Sequence, residues 1–181
     1  RDRYIEDKWE GFFLSAIEVR GLCPIKGEIT VQGSKNAVLP MMAGAVLNNG
    51  ITVINNVPRI QDVFCMMGIL DSLGCSCVLD GHSLTIDAAG LSRFSIPKAE
   101  MEKMRSSIML LGALLGRCKE AEVYYPGGCM IGKRPIDLHL MALEKMGARI
   151  REGQGDEPLR ASVPRLRGTV AVSYTHLRAH E

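Results

Sequence analysis

From about Ile17 the chain alternates short apolar runs of strand character with amphipathic helical stretches. Glu28 to Gln32 reads as a strand. Ser34 then serves as N-cap of a helix running to about Leu47, in which Pro40 is tolerable only near the first turn. Ile51 to Ile54 is the next predicted strand. A helix from about Arg59 to Leu73 follows, with Val63, Met67, Leu70 and Leu73 on one face and Gly74 as its stop. Cys75 to Leu79 and Ser83 to Ile86, separated by Asp80-Gly81-His82, predict a hairpin.

The same order then recurs. Phe94 to Ile96 predicts a strand, Pro97 to Arg117 one long helix, Glu122 to Tyr125 a strand, and Pro135 to Met146 a helix stopped at Gly147. Ala148 to Arg151 and Leu159 to Val163 close the second unit, and a third opens at Gly168 to Val172. Local echoes support a true duplication: Ala43-Gly44-Ala45-Val46-Leu47 against Leu111-Gly112-Ala113-Leu114-Leu115, and Leu70-Asp71-Ser72-Leu73-Gly74 against Leu143-Glu144-Lys145-Met146-Gly147. The expected fold class is α/β, built from β-α-β-α-β-β repeats that share a core.

The two units differ most in one connection. Before the Pro-Arg-Ile-Gln-Asp start of the first unit's second helix there is only Asn55-Asn56-Val57, whereas the second unit carries all of Pro126 to Arg134. A longer glycine-bearing loop in one copy of a repeat points to function. It places Cys129 beside Lys133 and Arg134 just ahead of a helix, where positive charge and the helix N-terminus favour a thiolate or a bound phosphate. The alternative is an ordinary turn with a half-buried structural cysteine.

Three other groups carry candidate chemistry. Ser34-Lys35-Asn36 lies at a strand-to-helix junction, suited either to an anionic ligand or to simple capping with a solvated lysine. Arg105 falls in the helical row Met101, Arg105, Ile108, Gly112; its guanidinium either meets an anion or extends past the apolar stripe into water. Asp137 and His139 stand in the first turns of the last helix, where Asp137 complements the helix dipole and a lone histidine is more often structural than catalytic.

Composition narrows the classes. Lys plus Arg number 22 against 20 Asp plus Glu, and aromatics are 5%, which argues against nucleic-acid binding and base-stacking platforms. The apolar stretch Phe12 to Ile17 is too short for a signal core or a membrane span. Cys23, Cys65, Cys75, Cys77 and Cys118 match no zinc or disulfide spacing, read as small core residues, and suggest a reducing cytoplasm.

Together Gly33-Ser34-Lys35-Asn36-Ala37, Lys103-Met104-Arg105-Ser106-Ser107-Ile108 and the run from Pro126 through Cys129, Arg134 and Pro135 to His139 resemble the UDP-N-acetylglucosamine 1-carboxyvinyltransferases, the MurA-type enolpyruvyl transferases. The resemblance covers roughly Ile17 to Leu166, with the three motifs in family order. It implies an inside-out α/β barrel and transfer of the enolpyruvyl group of phosphoenolpyruvate to the 3′-hydroxyl of UDP-N-acetylglucosamine, with release of phosphate, as the first committed step of peptidoglycan synthesis. It implies no cofactor and no metal. Lys35, Arg105 and Arg134 would hold phosphate or carboxylate charge, Asn36 would contact substrate near the reacting centre, and Asp137, Leu138 and His139 would lie on the nucleotide-sugar side. Cys129 would handle proton transfer or the intermediate and be the target of fosfomycin-type epoxides. The nearest rival is 3-phosphoshikimate 1-carboxyvinyltransferase; a rival of another class is a non-catalytic module that binds a nucleotide sugar or a partner.

The resemblance also sets the expected organisation. Residues 1–16 read as a non-native leader, 17–31 as strands belonging to a second domain of the same protein, 32–166 as two repeat units of the loop-bearing domain, and 167–181 as the stub of a third unit with a foreign tail. The chain by itself is expected to be inactive, because a cleft enzyme needs both walls to exclude water and position two substrates.

Overall fold

The computed structural model describes residues 24, 26–125, 136–153 and 157–171. The chain divides into two units, Arg1–Val31 and Gln32–Glu181. The expected leader and tail lie outside the described residues, apart from 167–171. In the first unit the described residues form neither helix nor strand, and Ile29 and Val31 are exposed. The strand expected over Glu28–Gln32 is therefore not formed. A strand is held by hydrogen bonds to a neighbour, and no described strand pairs with this stretch.

The second unit opens with helix α1, Lys35–Ala45. Ser34 occupies the N-cap position with extended backbone, but its side chain makes no capping bond; its carbonyl accepts instead from the N–H groups of Ala37 and Val38. Pro40 lies inside the helix rather than in its first turn. Its ring carries no N–H for the Asn36 carbonyl, and α1 tolerates the loss because packing of Val38, Leu39, Met42 and Ala43 against the core holds the helix in place.

Strand β1 (Ile51–Ile54), helix α2 (Gln61–Ser72) and the hairpin β2 (Ser76–Asp80) and β3 (Ser83–Asp87) complete the first repeat. The sheet order is β1-β3-β2, with β3 antiparallel to both neighbours. β1 and β2 are therefore parallel and α2 is the crossover between them. One sheet face, with Ile54, Leu84 and Ile86, packs into the core, while Ile51, Val53 and Val78 on the other remain exposed. On α2 Val63 and Leu70 are buried as expected, as is Leu73 just beyond the helix, but Met66 and Ile69 join them while Met67 is only half-buried at the edge of the stripe.

The second repeat reproduces this plan with one break. The long helix expected over Pro97–Arg117 is instead α3 (Lys98–Met101), a 3-10 turn over Arg105–Ile108, and α4 (Met109–Cys118). Met104 between them is extended, at φ −153° and ψ 144°. Ser107, fully buried, explains how the break is sustained. Its hydroxyl lies 2.7 Å from the Met104 carbonyl and 3.3 Å from that of Met101, donating to carbonyls that a continuous helix would have satisfied itself.

Strand β4 (Glu120–Val123) starts two residues earlier than expected, and α5 (Asp137–Lys145), β5 (Arg149–Arg151) and β6 (Leu159–Ser162) follow in the order β4-β6-β5. The strand expected at Phe94–Ile96 is reduced to one parallel bridge, Ser95 to Glu122, closed by the Glu122 N–H on the Phe94 carbonyl (2.8 Å) and the Ile96 N–H on the Glu122 carbonyl (2.9 Å). Gly168–Ala171 form no strand. One apolar core runs through both repeats, from Leu39 and Leu70 to Leu111, Leu114 and Leu159. Each such buried leucine contributes roughly 1.5–3 kcal/mol.

Candidate active site

The described motif residues lie at the starts of helical elements of the second unit. At the C-terminal ends of α1 and α4, Arg117 donates to the Asn49 side chain, and Gly116 leaves room only for the Leu47 side chain. Lys35 and Asn36 are the first residues of α1, and Arg105 opens the 3-10 turn that runs directly into α4. The connection from β1 returns the chain to the start of α1, where Lys35 pairs with the carboxylate of Asp62 in the first turn of α2.

In the second repeat β4 packs against α4, and thirteen residues separate β4 from α5. The Leu143 side chain of α5 comes near Gly112 of α4. Asp137, Leu138 and His139 are the first residues of α5, all three exposed. Tyr125 and Ile136 flank residues 126–135. Cys129, Lys133 and Arg134 fall outside the described residues.

Close backbone approach shapes the start of the second unit. A side chain at Gly33 would run into the carbonyl of Asn56 and the ring of Pro58, so only glycine lets the start of α1 lie against the β1-to-α2 connection. Arg105 is half-buried, and no carboxylate among the described residues forms an ion pair with it. Lys35, Asn36 and Arg105 each stand at a helical start, the kind of position that suits an anionic ligand. No group of three or more His, Cys, Asp and Glu side chains comes together among the described residues to hold a metal ion.

Sequence reasoning missed three residues here. Asp62 was visible as the acid ending Pro-Arg-Ile-Gln-Asp, but nothing in the pattern ties it to Lys35. Tyr125, whose hydroxyl donates to Glu152, carries no signal at all, because the two residues are far apart in sequence. That bond, with partial burial and the carboxylate charge, pushes the Tyr125 phenol up to about 12.

The cysteines behave as core residues where they are described. Burial, reinforced by Asp71, pushes Cys75 up to about 11 and Cys77 up to about 12. Burial also raises Cys118, against the lowering effect of Arg117. At neutral pH these thiols are protonated and poorly nucleophilic.

Comparison with known proteins agrees with this layout. The family model of EPSP synthase (3-phosphoshikimate 1-carboxyvinyltransferase) matches residues 19–175. The chain is 44% identical over 142 residues to UDP-N-acetylglucosamine 1-carboxyvinyltransferase 2 of Caldanaerobacter subterraneus subsp. tengcongensis, covering 78% of this chain and 34% of that protein. It is 47% identical over 157 residues to UDP-N-acetylglucosamine 1-carboxyvinyltransferase 1 of Symbiobacterium thermophilum, covering 83% and 35%. The chain thus spans about a third of the length of these curated relatives. Among solved structures, the enolpyruvyl transferase NikO from Streptomyces tendae superposes with a TM-score of 0.67 at 22% identity, over 78% of this chain and 31% of NikO, which shows a shared fold. An α/β chain of duplicated β-α-β-β units, matched along most of its length by one family model, belongs to the EPSP synthase family of enolpyruvyl transferases.

Proposed function

We propose that the polypeptide carrying this chain transfers the enolpyruvyl group of phosphoenolpyruvate to the 3′-hydroxyl of UDP-N-acetylglucosamine, releasing phosphate, as an early cytoplasmic step of peptidoglycan synthesis. What supports this reading is 47% identity to a relative of that name, in a chain whose Lys35 and Asn36 open α1, whose Arg105 opens the turn into α4 and whose Asp137 opens α5.

In the reaction, C3 of phosphoenolpyruvate takes a proton and the sugar hydroxyl adds to C2, giving a tetrahedral adduct. Loss of a C3 proton and of phosphate regenerates the double bond on the transferred group. Charge on the phosphate and carboxylate must be held throughout, the task of Lys35, Arg105 and Arg134. The ion pair with Asp62 keeps the Lys35 ammonium at the start of α1, ready to exchange toward a more strongly charged phosphate. Asn36 offers an amide beside it. Asp137, Leu138 and His139 face the nucleotide sugar at the start of α5, and Cys129 serves proton transfer or intermediate handling. A second domain of the same protein supplies the other wall of the cleft and the remaining acid-base chemistry.

Phosphate release from the full-length polypeptide, measured with phosphoenolpyruvate and either UDP-N-acetylglucosamine or shikimate 3-phosphate, tests the reading. Turnover with the nucleotide sugar and none with shikimate 3-phosphate is expected. The reverse preference would move the protein to the shikimate branch of its family, and release with neither would remove the enzymatic reading.

A further inference from the structure

Each repeat ties the connection that follows its first strand to the residues that follow its third element, but with different chemistry. In the first repeat the tie is largely main chain. The Val57 N–H donates to the His82 carbonyl (2.8 Å), His82 Nδ1 lies 2.8 Å from the Val57 carbonyl, and Arg59 Nη1 donates to the Gly81 carbonyl (3.2 Å). In the second repeat Tyr125 stands two residues beyond β4, as Asn56 does beyond β1, and Glu152 follows β5 directly, as Gly81 follows β2. The Tyr125 hydroxyl donates to Glu152 Oε2 at the corresponding place.

We propose that Tyr125 and Glu152 are positioning residues for enolpyruvyl transfer, their hydrogen bond fixing where the connection that carries Cys129 and Arg134 leaves β4. This rests on the function proposed above. The length of the connection is the physical reason. Six residues join β1 to α2, whereas thirteen join β4 to α5, so short span alone does not set the exit direction in the second repeat. The bond compensates by pairing a phenol with a carboxylate, a stronger acceptor than the carbonyls used in the first repeat. The phenol keeps its proton, and so its role as donor, throughout the neutral range. Neither residue offers reactive chemistry of its own at this place, and neither belongs to the motifs that carry the family resemblance.

The test uses the full-length polypeptide with Tyr125→Phe, Glu152→Ala and Glu152→Gln, reading kcat, KM for the nucleotide sugar, thermal midpoint, and the rate at which iodoacetamide labels Cys129 by mass spectrometry. Glutamine should act as the partly rescuing variant. Losing a charge-assisted hydrogen bond predicts a fall of about tenfold in kcat for Tyr125→Phe and Glu152→Ala. KM should hold within about twofold. The Cys129 labelling rate should change by at least about threefold, with the thermal midpoint nearly unmoved. Glu152→Gln, which keeps an acceptor oxygen but not the charge, should fall between the parent and Glu152→Ala in every readout. Unchanged kcat and labelling in the first two variants would overturn the proposal, as would Glu152→Gln falling as far as Glu152→Ala. If the parent protein turns over no substrate, the function proposed above fails, while the labelling rates still decide whether Tyr125 and Glu152 position the connection.

Discussion

The two repeats share a sheet order, a crossover helix and a glycine stop, yet they spend their differences in separate places. The first joins its long helix to its first strand through five residues, 46–50, and closes its β1-to-α2 connection tightly. The second compresses the helix-to-strand joint to Lys119 alone, held in a left-handed conformation at φ 68°, and lets the β4-to-α5 connection run to thirteen residues. The long helix runs on through a proline in one copy and is broken by an extended residue with a buried serine in the other. Duplication thus conserved what buries apolar surface and released the strand-to-helix corners, where ligand chemistry can accumulate without disturbing the core.

Leu70 and Leu143 occupy echoing positions, but Leu70 is fully buried and Leu143 only partly so. Leu70→Ala should cost about 2–5 kcal/mol, and Leu143→Ala distinctly less. Denaturant unfolding reads both, and equal losses would show that the repeats contribute alike to the core.

The glycine stops sharpen the contrast. Gly74 and Gly147 sit at φ 100° and 99°, so alanine is strained at either. A Cβ at Gly74 would also come within 2.6 Å of the Gly90 carbonyl oxygen, while at Gly147 its nearest neighbour, the Arg165 carbonyl oxygen, is 3.8 Å away. Gly147→Ala should cost about 1 kcal/mol and Gly74→Ala about 2–3 kcal/mol. Thermal melts showing Gly147→Ala to be the worse variant would contradict this account.

That proline and that serine should respond with opposite signs. Pro40→Ala restores a donor for the Asn36 carbonyl and is expected to stabilise by about 1–2 kcal/mol. Ser107→Ala strips the hydroxyl from the Met104 carbonyl and should destabilise by about 1 kcal/mol. A matching loss in both would mean that Pro40 is held by contacts as specific as those of Ser107.

The smallest effect concerns alkali. Cys75 and Cys77 ionise only near 11 and 12 in the folded chain, against 9.0 for an unperturbed thiol. Above pH 9 the unfolded chain loses protons that the native state keeps, so their contribution is intact below pH 9 and declines as pH climbs toward 11 and 12. Cys75→Ala/Cys77→Ala should show a shallower drop in denaturation midpoint between pH 8 and pH 10 than the parent, and Cys118→Ala a smaller change, since Arg117 opposes its shift. An unchanged slope in the double variant would place the alkaline sensitivity elsewhere.

Sequence by itself determined the repeat, most element positions, both glycine stops and the three motifs that mark the family, because period, turn chemistry and local composition act within a few residues. It read β1, α2, the first hairpin, α5 and the last two strands close to where they lie. It overextended the helix before β4, because periodicity sees apolar spacing and not a buried serine able to take over backbone carbonyls. It also placed a strand at Glu28–Gln32, where alternation is present but no described strand is a hydrogen-bonding neighbour. Lys35, Asn36, Arg105 and Asp137 were legible one by one. Only the tertiary structure pairs Lys35 with Asp62 and Tyr125 with Glu152. Such contacts join residues far apart along the chain, so they are decided by how the repeats bury their shared core and leave no local trace in the sequence.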